Sequence, residues 1–261
     1  MKKTNVFGAI FIMAIVMFTS CLGDGSNTHK APTVGVVRYD YKSAKYLLDT
    51  YGWGTFYSES FNSSPDVREG ACYYFNFELD MDLPENSNSV VSTTGYYKIL
   101  LVNKSELSRY SMSPVFLDTT TLLTNEIPII NPYYALGGYV KGIIFLQHHI
   151  KQPEGQSHVW NLSYNTQDMV VEENGTRYYD VFIRATIDGS AGTKTPTDMA
   201  PLNAYDMKYF LESAANVEKN QKDKVVNIRF NYVSEIKDGK MVWKKSEILP
   251  VHTDVILADD K

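Results

Sequence analysis

Residues 71–83, ACYYFNFELDMDL, decide the fold class of this chain. Tyr73, Phe75, Phe77, Leu79, Met81 and Leu83 alternate with Tyr74, Asn76, Glu78, Asp80 and Asp82. Successive side chains of a strand point to opposite faces, so one set packs into a core and the acids face outward. Cys72 sits at the start of this strand between Ala71 and Tyr73, where it reads as a small buried hydrophobe rather than a reactive thiol.

Strand patterns continue on both sides. Thr33 to Tyr41 and Ala44 to Thr50 precede a Tyr51-Gly52-Trp53-Gly54 turn, and Thr55 to Phe61 follows it. Asn62 to Gly70 is a loop, and Tyr96 to Val102 is the next strand. Further along, Gly138 to His149 and His158 to Tyr164 flank Pro153-Glu154-Gly155 as a hairpin. Asn174-Gly175 and Asp238-Gly239 are strong two-residue hairpin signals, because both turn positions need positive φ. One helix is expected, over Asn203 to Val217 with Asn203 as its cap. The 19 tyrosines and 12 phenylalanines suit strands better than helices.

At the other end of the argument stands Met1 to Cys21. Lys2 and Lys3 precede an apolar run from Val6 to Phe18, then Thr19-Ser20-Cys21. That run is too short for a permanent span and fits a secretory signal. Small residues before a cysteine match a bacterial lipobox, so residues 1–20 are expected to be removed and Cys21 lipidated. Residues 21–32 are Gly, Ser, Asn and Pro rich and read as a tether. The chain is therefore expected to be exported and lipid-anchored to the cell envelope, with the outer membrane favoured because Leu22 rather than Asp follows the cysteine. With Cys21 lipidated, Cys72 has no disulfide partner. The formal charge of -5 argues against nucleic acid as a partner, since such binders rely on Lys and Arg against phosphates.

Several constellations invite chemistry and none completes it. His148 and His149 point to opposite faces of a regular strand, and a cross-strand pair of His149 with His158 would still lack a third metal ligand. Glu78, Asp80 and Asp82 diverge along one strand rather than converging on a cation. The Asp188-Gly189-Ser190-Ala191-Gly192 stretch lacks the first glycine of a nucleophile elbow. No phosphate-binding, dinucleotide, HExxH or CxxC motif is present, so no catalytic residue, metal or cofactor is expected. Tyr51, Trp53, Phe56 and Tyr57 cluster in sequence, and Trp53 and Tyr57 are the candidates for stacking a ligand. Asp118-Thr119-Thr120 matches a short glycosylation triplet of exported proteins, with Thr119 as the acceptor.

The lipobox, VGVVRYDYKSAKYLLDTYGWGTFY, REGACYYFNFEL, and NEIPIINPYYALGGYVKGIIFLQ leading into HVWNLSY together resemble the NigD-like lipoproteins of Bacteroidota, as do the later AYDMKYFLESAAN and VVNIRFNY. The resemblance implies an all-β chain, with an N-terminal OB-like barrel over residues 33–135 and a C-terminal antiparallel β-sandwich over residues 136–261. It carries over no catalytic residue. The expected function is thus a lipid-anchored binding or adaptor module for an envelope protein or glycan. The alternative is an envelope polysaccharide hydrolase using two of Glu78, Asp80 and Asp82.

Overall fold

The computed structural model describes residues 27–115, 119–190 and 192–258. Cys21, the signal segment and residues 22–26 of the expected tether lie outside the described residues; residues 28–32, also expected as tether, instead form a strand paired antiparallel with residues 76–80. What is described is all-β, as expected, and is built from two sheets.

The first sheet contains β1 (Thr28–Asp40), β2 (Lys45–Thr50), β3 (Gly54–Tyr57), β4 (Cys72–Asp80), β5 (Tyr97–Lys98) and β6 (Leu100–Glu106), in the order β5-β3-β2-β1-β4-β6. Only Ile99 separates β5 from β6, so residues 97–106 act as one strand. It pairs in parallel with β3 at one end and antiparallel with β4 along the rest. That closes the sheet into a five-stranded Greek-key barrel, the OB arrangement. The alternation does what its period requires over residues 72–80, where Tyr73, Phe75, Phe77 and Leu79 fill the barrel with Phe56, Leu48 and Ile99, but the strand ends at Asp80 and Leu83, expected on the core face, is exposed in the turn that follows. The helix α1 (Glu59–Asn62) brings Phe61 edge-on to Tyr73, and α2 (Asn88–Thr94) lies in the connection from β4 to β5.

The second sheet comprises β7 (Arg109–Val115), β8 (Glu126–Ile127), β9 (Asn131–Val140), β10 (Ile143–Pro153), β11 (His158–Asn165), β12 (Val171–Glu173), β13 (Thr176–Ile187), β14 (Pro196–Met199), β15 (Leu202–Asp206), β16 (Val225–Lys237) and β17 (Lys240–His252). It curves around a core that includes Trp160, Tyr179, Tyr205 and Phe230. The helix α3 (Lys208–Glu218) covers this core with Phe210, Leu211, Ala214 and Ala215, and α4 (Thr253–Ala258) adds Ile256. The buried Glu218 at the end of α3 accepts hydrogen bonds from Tyr179 Oη at 2.6 Å and Arg177 Nε at 2.9 Å.

Four further details differ from the sequence reading. The second sheet is mixed rather than purely antiparallel, since β7 runs parallel to β11 and β15, and β13 runs parallel to β16. The strand β7 accounts for two of these three parallel pairings: it leaves the barrel at Ser108 and inserts between β15 and β11, so the sheet changes near residue 108 rather than at 135–136. The histidine hairpin does not form, because β10 pairs with β9, β14 and β15 while β11 pairs with β13 and β7. His149 therefore faces Asn131, and His158 faces Ile187. The expected helix begins at Lys208, because residues 202–206 are held as a strand by β10 and β7. Both two-residue turns are as expected, with φ of 53° and 75° at Asn174 and Gly175, and 51° and 72° at Asp238 and Gly239.

The two units share a third apolar cluster. Val34, Val36 and Cys72 on the outside of the barrel pack with Val140, Ile143, Phe145 and Ala204 of the second sheet. Arg109 spans the same junction, donating from Nη1 to the Gly70 carbonyl at 2.6 Å and from Nη2 to the Asp206 carboxylate at 2.5 Å. Burial pushes the Cys72 thiol up to about 11.

Candidate functional site

The stacking candidates fall on different sides of the barrel wall. Trp53 plugs one end of the core, with its ring edge-on to Phe77 at 5.1 Å and tilted against His29 at 6.0 Å. Tyr57 lies on the outer face of β3, where Lys45 Nζ sits 4.4 Å from its ring centroid and donates to Tyr96 Oη at 2.7 Å. That hydrogen bond raises the Lys45 pKa and fixes the cation among the rings. The two aromatics thus do not share one platform.

What the sequence did not disclose is a cleft at the domain junction, about 440 Å³ in volume. It lies over the outer face of β2 and β3, and three remote segments build it: residues 49–55, 139–141 and 249–255. Its floor is the cross-strand pair Asp49 and Thr55. Inward-pointing Leu48 and Phe56 fix the opposite parity of these two residues, which therefore face out. Asp49 is only 5% exposed. Its Oδ1 accepts from Thr55 Oγ1 at 2.8 Å and from Arg38 Nη2 at 3.3 Å, and its Oδ2 accepts from Arg38 Nε at 2.9 Å. The bond to Asp49 raises the Arg38 pKa, so the guanidinium stays charged.

The facing wall is apolar, with Tyr139, Leu249 and Val251, and half-exposed Tyr51 and Val255 flank the opening. Lys141 and His252 stand exposed on the rim. The β9–β10 turn that carries Lys141 uses φ of 49° at Lys141 and 80° at Gly142, so this Lys-Gly pair is a hairpin signal that Asn-Gly and Asp-Gly searching overlooks.

The other sequence candidates have local roles. Glu78 pairs with Lys30 at 2.9 Å, Asp80 Oδ1 accepts the backbone N–H of Asp82, and Asp82 Oδ1 accepts from Asn27 Nδ2. Thr119 is exposed, and its carbonyl accepts from Trp243 Nε1 at 3.0 Å. Among the described residues, no three His, Cys, Asp or Glu side chains converge as a metal site, and no helix is long and apolar enough to cross a membrane.

The fold and cleft define a two-sheet β protein whose first unit is an OB barrel. Residues 25–105 match the family model described as Lipoprotein OB domain. An uncharacterized protein from Parabacteroides merdae has the same fold at a TM-score of 0.74 and 21% identity, covering 85% of this chain and 99% of that one. A protein described as a candidate lipoprotein from Bacteroides fragilis matches at a TM-score of 0.57 and 12% identity, over 86% of this chain and 98% of that one. A NigD-like immunity protein from Bacteroides caccae matches at a TM-score of 0.46 and 11% identity, over 84% and 92%. No curated protein matches the chain.

Proposed function

We propose that this chain is a cell-envelope protein held at the outer membrane through lipidated Cys21, and that it binds a glycan or protein partner without transforming it. The observation that carries the binding role is the junction cleft. It lies on the strand 2–3 face that OB folds use for ligands, and its volume falls within the usual range of small-molecule sites. The match of residues 25–105 to a lipoprotein OB domain supports the anchor, as does the lipobox order at Thr19-Ser20-Cys21. The hydrolase alternative has less to stand on. Glu78 and Asp80 on β4 and Asp82 in the turn after it are engaged with their own neighbours, whereas paired catalytic carboxylates must oppose each other across a bond.

Two measurements test this reading in cells. Metabolic labelling with an alkynyl fatty acid marks the wild-type chain and leaves Cys21→Ala unlabelled if the anchor is right. A photo-crosslinking amino acid at position 51 gives a defined adduct, while one at exposed Val242 on β17 does not. Equal crosslinking at both positions, or none at 51, rejects the cleft as the site.

A further inference from the structure

We infer that the junction cleft takes one or two units of a neutral saccharide, with the sugar's hydroxyl edge on Asp49 and Thr55 and its C–H face against the aromatic wall. This rests on the binding role proposed above and adds the chemical class of ligand. The two walls differ in kind, and a pyranose differs in the same way between its hydroxyl-bearing edge and its apolar face. Asp49 is the one buried charge among the described lining residues. An ionised carboxyl offers about four acceptor positions. Arg38 and Thr55 use three of them, leaving room for a ligand hydroxyl.

Charge decides between ligand classes. An anionic carboxylate has no hydrogen to give to the acceptor position that Asp49 keeps open. A cation gains little there, because Arg38 already balances the carboxylate. Lys141 and His252 sit on the exposed rim, where solvent and salt screen them. A neutral polyol meets neither penalty and supplies the hydroxyl donors that the floor can accept. Half-exposed Tyr51 and the buried Tyr139 both line the cleft and give it aromatic surface against which C–H groups pack.

The test is titration calorimetry on the purified chain with neutral glucose, mannose and galactose trisaccharides, and with a galacturonic acid trisaccharide of the same length. Saturable binding of at least one neutral sugar is expected, with the uronic acid sugar weaker. Tyr51→Ala, at a half-exposed position, weakens neutral binding about five- to tenfold. Asp49→Asn, which keeps the shape, weakens it about tenfold or more. Thr55→Val provides a second change on the floor should the Asn variant fold poorly. Preference for the uronic acid, or neutral binding that both walls' variants leave unchanged, overturns the inference. An adduct at position 51 that proves to be a protein, with no sugar bound, overturns it while leaving the binding role intact. Absence of both removes the two readings together.

Discussion

His148 lies flat against Trp160, with ring centroids 4.2 Å apart and planes within 20°, in the core of the second sheet. Its Nε2 shares a 2.6 Å hydrogen bond with Tyr205 Oη, while Nδ1 has no partner among the described residues. Burial alone lowers its pKa from 6.5 to about 3. Between these values the unfolded chain binds a proton that the folded chain refuses, so stability is full above pH 6.5 and falls as pH drops toward 3. The slope from this one group is about 1.4 kcal/mol per pH unit. Burial lowers the His158 pKa as well and adds in the same direction. Urea melts at pH 7 and pH 5 should differ by about 2 kcal/mol through His148. His148→Phe should flatten that difference, at a lower overall stability because Tyr205 loses its partner.

Gly142 and Gly175 both adopt left-handed φ, of 80° and 75°, yet alanine should affect them unequally. A Cβ at Gly175 meets open space, so Gly175→Ala carries the backbone strain alone, about 1 kcal/mol. At Gly142 it would come within 2.7 Å of Lys208 Cβ and 3.0 Å of Lys208 Cα, atoms fixed by the start of α3. Gly142→Ala should therefore cost about 3 kcal/mol or more. Denaturant midpoints of the two variants give the comparison directly.

Cys72 is 1% exposed and held as a thiol by its burial at the domain junction. A thiolate-directed reagent such as dithionitrobenzoate should leave it unmodified in the folded chain at pH 8 and react fully in concentrated urea. Cys72→Ser should cost about 1–3 kcal/mol, because it places a hydroxyl among Val34, Val36 and Phe145.

Trp53 and Tyr51 are neighbours in the same turn with opposite duties. Trp53→Ala should destabilise the barrel by about 2 kcal/mol by uncovering Phe77. Tyr51→Ala, at a position 49% exposed, should stay within about 0.5 kcal/mol of wild type. Thermal melts of both variants separate the stability role from the binding role.

Local chemistry made part of this legible in the sequence. The alternation over residues 72–80 and the Asn174-Gly175 and Asp238-Gly239 turns depend on neighbours a few positions apart, and each forms as its pattern dictates. The parallel insertion of β7 depends on partners about 50 and 95 residues away, so no local pattern announces it. The helix start at Lys208 was hidden for the same reason: Leu202–Asp206 is a strand only because β10 and β7 flank it. The cleft was least legible of all. Asp49 within Tyr46-Leu47-Leu48-Asp49 was a visible clue, an acid closing an apolar run, but Tyr139 and Val251 join it only after both sheets have closed.

Where the chain enters the barrel has a mechanical consequence. β1 is an interior strand, hydrogen-bonded to β4 from Thr28 to Val36 and to β2 from Gly35 to Asp40. A load applied through the N-terminal end therefore runs along the strand axis and shears those rungs together, instead of peeling them one after another as at a sheet edge. Pulling from that end must overcome many hydrogen bonds at once, so the barrel is arranged to stay folded under tension.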